Sequence, residues 1–249
     1  MRFFILTKKH LCMLGCAVLA LVVGMVLSIN AMAKTERLLP IYRVETSEKK
    51  VALTFDAAWG ADDTDTLIST LQKYNATATF FVVGEWVDKY PEEVKKLSSA
   101  GFDVMNHSAT HPYMTSLSED AIKEQLKICN DKITAVTGKQ PTLFRCPYGD
   151  YDNKVISTVE SVGMKTLQWD VDSLDWKESA TVESIVTRVT SKVKNGSIVL
   201  FHNDADHTPE ALPIVLEKLT AEGYTFVKAA DLIYWDNYEI LHDGTQKKN

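Results

Sequence analysis

His107 and His111 stand four residues apart in Asn106-His107-Ser108-Ala109-Thr110-His111, directly behind a short apolar, strand-like run. If that stretch turns helically, side chains at i and i+4 share one face at roughly 5–6 Å, a separation at which two imidazoles can hold one divalent ion. The same spacing suits two polar loop residues, so the pair takes its meaning from its company. Asp56, Arg145, the acidic stretch Asp170 to Asp175 and His202 also follow strand-like runs. Singly, each has a plain reading: a turn-capping carboxylate, a partner in a surface ion pair, a histidine satisfied at a strand end.

Such residues need elements that bring them together. Apolar, β-rich runs occur at Val51 to Phe55, Thr77 to Val83, Phe102 to Met105, Thr142 to Phe144, Met164 to Trp169, Ser197 to Phe201 and Tyr224 to Val227. Helix-like segments lie between most of them, at Asp63 to Lys73, Pro91 to Ser99, Ser118 to Thr137, Asn153 to Ser161, Thr181 to Lys194 and Pro209 to Ala221. Strand, crossover and strand in repetition predicts an α/β fold with a parallel sheet. A barrel gathers all strand carboxyl ends on one rim, whereas an open sheet gathers chiefly those near its switch point. The positions therefore favour a distorted (β/α) barrel of about seven parallel strands.

The 249 residues include 27 basic and 33 acidic side chains, a formal charge of -6, with no Lys/Arg block, which argues against a nucleic-acid partner. Arg2, Lys8 and Lys9 precede an uncharged apolar run from Leu11 to Ile29, and Ala31-Met32-Ala33 has a small-x-small pattern. Residues 1–33 thus read as a signal peptide or an N-terminal membrane anchor. Either outcome predicts an extracytoplasmic domain, secreted or tethered to the membrane through that segment. Residues 34–49 read as a linker or a leading edge, 50–235 as the domain, and 236–249 as a polar C-terminal tail. Cys129 and Cys146, the only cysteines after the leader, exclude a disulfide scaffold and form no Cys-x-x-Cys pattern. The sequence has neither a Gly-rich phosphate loop nor a Gly-x-Ser-x-Gly elbow.

In order, Thr54-Phe55-Asp56, His107-Ser108-Ala109-Thr110-His111, Arg145-Cys146-Pro147-Tyr148-Gly149, Asp172-Ser173-Leu174-Asp175-Trp176 and Leu200-Phe201-His202 resemble the five motifs of the NodB-type polysaccharide deacetylases, carbohydrate esterase family four. The resemblance spans residues 50–235. The opening Ala-Leu-Thr-Phe-Asp-x-x-Trp-Gly is most similar to the sporulation-associated branch. The resemblance implies a NodB homology domain that hydrolyses the N-acetyl group of a sugar with a divalent ion, zinc first, with cobalt or nickel as alternatives. Such an ion polarises the amide carbonyl and lowers the pKa of bound water.

By the same resemblance His107 and His111 are the metal ligands, Asp56 is the base that takes the water's proton, and Arg145 keeps that base ionised. His202 is the acid that protonates the departing amine, oriented by Asp175. Tyr148 lines one wall and offers its backbone N–H to the oxyanion. Leu200 and Trp176 seat the acetyl methyl; read plainly, both are core residues. Asp170 and Asp172 receive no role.

One position departs from the family. Members with a full metal triad carry a second aspartate directly after the base, and here that residue is Ala57. Catalytic zinc normally keeps three protein ligands and a water, so two histidines predict weaker binding with more coordinated water. Asp62 and Asp63 can replace the carboxylate only if the Trp59-Gly60 turn folds back. Two functions follow as expectations. One is an exported, monomeric, metal-dependent deacetylase of N-acetylglucosamine or N-acetylmuramic acid in peptidoglycan. The other is a glycan-binding or scaffolding relative without efficient catalysis.

Overall fold

The computed structural model describes residues 37–249 and, nearer the amino terminus, Lys8, Lys9, Met13, Val18, Leu19 and Val22, which are helical. The leader expected at residues 1–33, with its cleavage pattern, lies outside the described residues save for those six positions. Among the described residues no helix is long and apolar enough to cross a membrane.

Strands and helices alternate as the sequence predicts. In chain order they are β1 (Arg43–Val44), β2 (Lys50–Ala57), α1 (Thr64–Lys73), β3 (Thr79–Val82), α2 (Gly84–Lys89), α3 (Pro91–Ser99), β4 (Asp103–Asn106), α4 (Glu119–Thr137) and β5 (Leu143–Phe144). Then follow α5 (Asn153–Ser161), β6 (Lys165–Thr166), β7 (Val171–Asp172), α6 (Val182–Lys192), β8 (Ile198–His202), α7 (Thr208–Ala221), β9 (Thr225–Val227), α8 (Ala229–Leu232), β10 (Tyr238–Ile240) and β11 (Thr245–Lys248). The main sheet has the order β6-β5-β4-β3-β2-β8-β7, with β9 beside the start of β2. Every neighbouring pair is parallel. The sheet curls into a half-barrel, as the strand-end positions of the site residues require.

β2 shows how the sequence makes this fold. Successive side chains leave a strand on opposite faces. Val51, Leu53, Phe55 and Ala57 join the core under the helices, with Leu67, Trp86 and Val215 among their companions. On that face Phe55 stacks between Phe80 and Phe201, ring centroids 4.9 and 5.5 Å away, its register partners on β3 and β8. Ala52 belongs to the second core, inside the curl, with Phe81, Met105, Leu143, Leu167 and Ile198. Thr54 and Asp56 share the inner face of Ala52, so polar side chains appear inside only toward the strand's carboxyl end.

Residues 38–249 form one compact unit. Its leading residues 38–49 pair with the rest of the unit: Ile41 bridges to Leu167 beyond β6, and Arg43 bridges to Ser197 before β8. The leading segment therefore spans the side of the curl between those strands. Within residues 236–249, β11 pairs in parallel with β1 and antiparallel with β10. Gly196 makes this close approach possible: its φ is 76°, and a Cβ there would collide with the Val44 carbonyl.

Candidate active site

The rim of the half-barrel carries a cleft of about 440 Å³ bordered by Asp56, His107, His111, Tyr148, Trp176 and His202. Asp56 ends β2 on the inner face, and Arg145 follows β5. Arg145 is fully buried, its guanidinium donating from Nη1 to Asp56 Oδ1 at 2.7 Å and from Nη2 to Thr54 Oγ1 at 2.8 Å and the Gln168 carbonyl at 3.2 Å. Its planar face lies 4.2 Å from the Phe81 ring centroid, so the buried cation keeps a carboxylate counter-charge and an aromatic face, while its Nε has no hydrogen-bond partner among the described residues. Burial alone would raise the Asp56 pKa; the charges of Arg145 and the neighbouring histidines outweigh it and hold the carboxyl below its ordinary value.

His202 ends β8 directly beside Asp56 in the register. Its Nδ1 lies 2.8 Å from Asp175 Oδ1, and its backbone N–H donates to Asp175 Oδ2 at 2.8 Å. Thr208, at the first turn of α7, donates its hydroxyl to the same Oδ2 at 2.7 Å. Asp175 is thus fixed on both oxygens and aims one of them at the imidazole. Burial disfavours the imidazolium, but the hydrogen bond and charge of Asp175 prevail and raise the His202 pKa. Trp59 stacks on the His202 ring, centroids 5.5 Å apart.

His107 and His111 meet, though not on the helix that their spacing suggests. Residues 107–111 form a loop in which Ser108 and His111 have positive φ values of 69° and 57°. Asn106 organises it, accepting from the Ser108 N–H at 2.7 Å while its own amide donates to the Leu126 carbonyl and to Asn130 on α4. The Ser108 hydroxyl in turn accepts from the His111 N–H at 3.0 Å. The imidazole centroids are 4.9 Å apart, edge to face. Burial lowers both pKa values, and burial together with the neighbouring His107 takes that of His111 down to about 4. Both rings are therefore neutral near pH 7.

His107 Nδ1 is 2.9 Å from the Arg145 carbonyl oxygen, which makes Nδ1 the N–H donor and leaves the lone pair on Nε2. That lone pair faces Asp56 Oδ2 at 3.5 Å. Two acceptors at this distance call for a shared hydrogen-bond donor or a cation. The donor set nevertheless stops short of a catalytic zinc centre with three protein ligands. Ala57 is buried in the helix-side core, and among the described residues no group of three His, Cys, Asp or Glu is able to hold a metal ion. Neither Asp62 nor Asp63 replaces the missing ligand. Asp62 is exposed, and Asp63 is buried away from the cleft lining, accepting from the Asp204 N–H at 2.9 Å.

The remaining predicted residues fall as follows. Tyr148, at a φ of 59°, packs its ring against His111 at 4.4 Å. Trp176 is half exposed over the cleft and so is no core residue, while Leu200 is buried in β8 and still reaches the lining. Asp172 borders the cleft and is raised in pKa by burial. Asp170 lies outside it, accepting from Ser197 Oγ and the Ile198 N–H. Asn106 and Thr208 carry no functional signal in their types or spacing, and Thr54 and Trp59, though part of the opening motif, receive no role from it. The one hint for Thr208 is its place directly before Pro209, at a helix start.

The polysaccharide deacetylase family model matches residues 43–167. YlxY of Bacillus subtilis is 34% identical over 194 residues, which cover 78% of this chain and 60% of that protein. The peptidoglycan-N-acetylglucosamine deacetylase of Bacillus cereus is 34% identical over 197 residues, 77% of this chain and 92% of the relative. Among solved structures, BA3943 of Bacillus anthracis, a CE4 family pseudoenzyme, is 35% identical with a TM-score of 0.75, over 78% of this chain and 68% of that one. A mutant of BA3943 has restored enzymatic activity. Members of the family are generally dependent on a divalent metal. A rim that holds a buried Asp–Arg pair and an Asp–His pair on one parallel half-barrel, together with these matches, shows that the chain belongs to the polysaccharide deacetylase family.

Proposed function

We propose that this chain is an exported hydrolase that removes N-acetyl groups from the amino sugars of peptidoglycan. One observation carries the reading. A carboxylate whose pKa is lowered by Arg145 and an imidazole whose pKa is raised by Asp175 sit side by side on β2 and β8 and face the same cleft. Two titratable groups whose surroundings push their pKa values apart form an acid–base pair. In this reading Asp56 takes a proton from water, the water oxygen adds to the acetyl carbonyl, and the Tyr148 backbone N–H steadies the oxyanion. His202 then gives its proton to the amine nitrogen as the C–N bond breaks, leaving acetate and a free amine. Leu200 and Trp176 seat the methyl. The Trp59-Gly60 opening supports a place in the sporulation-associated branch, and the charged and apolar pattern of residues 1–33 supports export.

A second reading rests on Ala57. With two imidazoles and no third protein ligand, divalent ions bind weakly and the chain acts chiefly as a glycan-binding relative. Acetate release from N-acetylated glycan fragments, measured with zinc, cobalt or nickel added, separates the two. The first reading expects slow release that Asp56→Asn abolishes. Glycan binding with no release under any metal overturns it in favour of the second.

A further inference from the structure

Four large aromatic rings stay exposed around the cleft: Tyr113 at 59%, Tyr148 at 61%, and Trp59 and Trp176 at 51% each. Clustered exposed apolar surface of this kind marks a binding surface. The rings fall on two sides of Asp56. Tyr113 stacks on Tyr148, centroids 4.3 Å apart, and Tyr148 in turn abuts His111, on the side of β4 and β5. Trp59 stacks on His202 and, with Trp176, lies on the side of β8 and β7. Trp59 and Trp176 also border a second hollow of about 270 Å³, so the groove continues beyond the acid.

Both outer rings are held in place before any ligand arrives. The Tyr113 carbonyl accepts from Ser116 Oγ at 2.6 Å, and the adjoining Met114 is fully buried. The residues flanking Trp59 are tied across to the loop after β8. The Ala58 N–H donates to Asn203, the Gly60 N–H donates to Asp204, and the Gly60 carbonyl accepts from Asn203 and from Trp86 Nε1. A rigid aromatic surface offers contact area at small conformational cost, and the C–H faces of a pyranose ring match the apolar face of an aromatic one.

We propose that Trp59 and Tyr113 are stacking platforms for the sugars on either side of the unit presented to Asp56, so that the groove selects an internal unit of a glycan chain over a free sugar. The inference rests on the glycan reading above. It assigns to two residues outside the five motifs the choice of chain length. The test is calorimetric titration of the full chain with N-acetylglucosamine oligomers of one to five units, in the original sequence and in Trp59→Ala, Tyr113→Ala, Trp59→Phe and Tyr113→Phe, with circular dichroism to verify folding. Affinity is expected to rise at least tenfold from monomer to tetramer. Each alanine variant should lose about tenfold on the tetramer, and each phenylalanine variant should recover most of it. Binding without dependence on length, or alanine variants that bind the tetramer as well as the original, overturns the inference while leaving the glycan reading intact. Failure of every oligomer to bind overturns both.

Discussion

The two halves of the cleft are built to different standards. On the acid–base side each charge has its counter-charge and each buried oxygen of Asp175 its donors. Asp56 is matched by an arginine that is itself held by Thr54, Gln168 and the Phe81 face. On the other side two neutral imidazoles are oriented as carefully, through Asn106, Ser108 and the Arg145 carbonyl, yet among the described residues no third ligand joins them, and Ala57 is packed in the core. Positioning and ligation are therefore separable. A fold can retain the hydrogen bonds that aim its ligands after losing one ligand, because those bonds also satisfy buried polar groups that are costly to leave unpaired.

The largest expected effect tests the completeness of the first half. Arg145→Met removes the counter-charge from a buried carboxylate and should cost about 3–5 kcal/mol at pH 7, read from urea unfolding. The cost should shrink in acid. In the original chain the folded pKa of Asp56 is depressed, so its stabilisation is present above the unfolded value and lost as pH falls through the folded one. In the variant the carboxyl takes up a proton at higher pH and escapes the penalty. A loss below about 1 kcal/mol would mean that water reaches the pair and that it behaves as a surface bridge.

Asp175→Asn comes next. The His202 pKa should drop, observed as an earlier NMR titration of its ring protons, and acetate release at pH 7 should fall about 100-fold, the scale of a lost general acid. The sign on stability follows from the raised folded pKa of His202. Its stabilisation is present below the unfolded pKa and lost as pH rises through the folded one, so the variant should flatten this high-pH decline. An unchanged His202 titration would separate Asp175 from the acid.

Ala57→Asp addresses the incomplete half. Placing a carboxyl at a site packed in the helix-side core should cost about 2 kcal/mol without metal. Excess zinc should return that stability, because binding to the folded chain alone adds roughly 2.7 kcal/mol at a hundred times Kd. Thermal unfolding with and without zinc reads both effects. If zinc moves the variant and the original chain equally, the missing carboxylate is not what limits the pair.

Much of the acid–base half is legible in the sequence. Asp56, His107, Arg145, Asp175 and His202 all sit at strand ends, because a parallel sheet with helical crossovers imposes that geometry wherever apolar runs alternate with amphipathic ones. Pro91–Ser99 and Asn153–Ser161 form as predicted, and Ser118 caps α4 through the Ala121 N–H. The features that sequence pattern does not reveal are short or long-range. β1, β7 and β10 have two or three residues each, and β11 reads Thr-Gln-Lys-Lys, so none offers a hydrophobic period. Thr208 acts on a carboxylate 33 positions away, and Trp59 matters through a ring stack on a residue of another strand. Such pairings depend on tertiary placement, which residue spacing does not encode. Residues 107–111 form a loop and not a helical turn, with Asn106 supplying a hydrogen-bonding frame of its own, a frequent role of asparagine at turns.

The smallest effect lies just outside both halves, where Asp63 and Asp204 hold the Trp59 loop against the loop after β8. Burial and the nearby charges of Asp204 and Asp175 raise the Asp63 pKa to about 6, and its Oδ1 has no hydrogen-bond partner among the described residues. A carboxyl whose folded pKa exceeds its unfolded value weakens the fold as pH climbs from about 4 to 6. Asp63→Asn keeps an oxygen for the Asp204 N–H and removes the charge. It should stabilise the chain at pH 7 by about 1 kcal/mol and leave it unchanged or slightly weaker at pH 4. Equal shifts at both pH values would show that the gain is not electrostatic. A loss at pH 7 would show that the ionised carboxylate of Asp63 is matched by a donor, as both oxygens of Asp175 are.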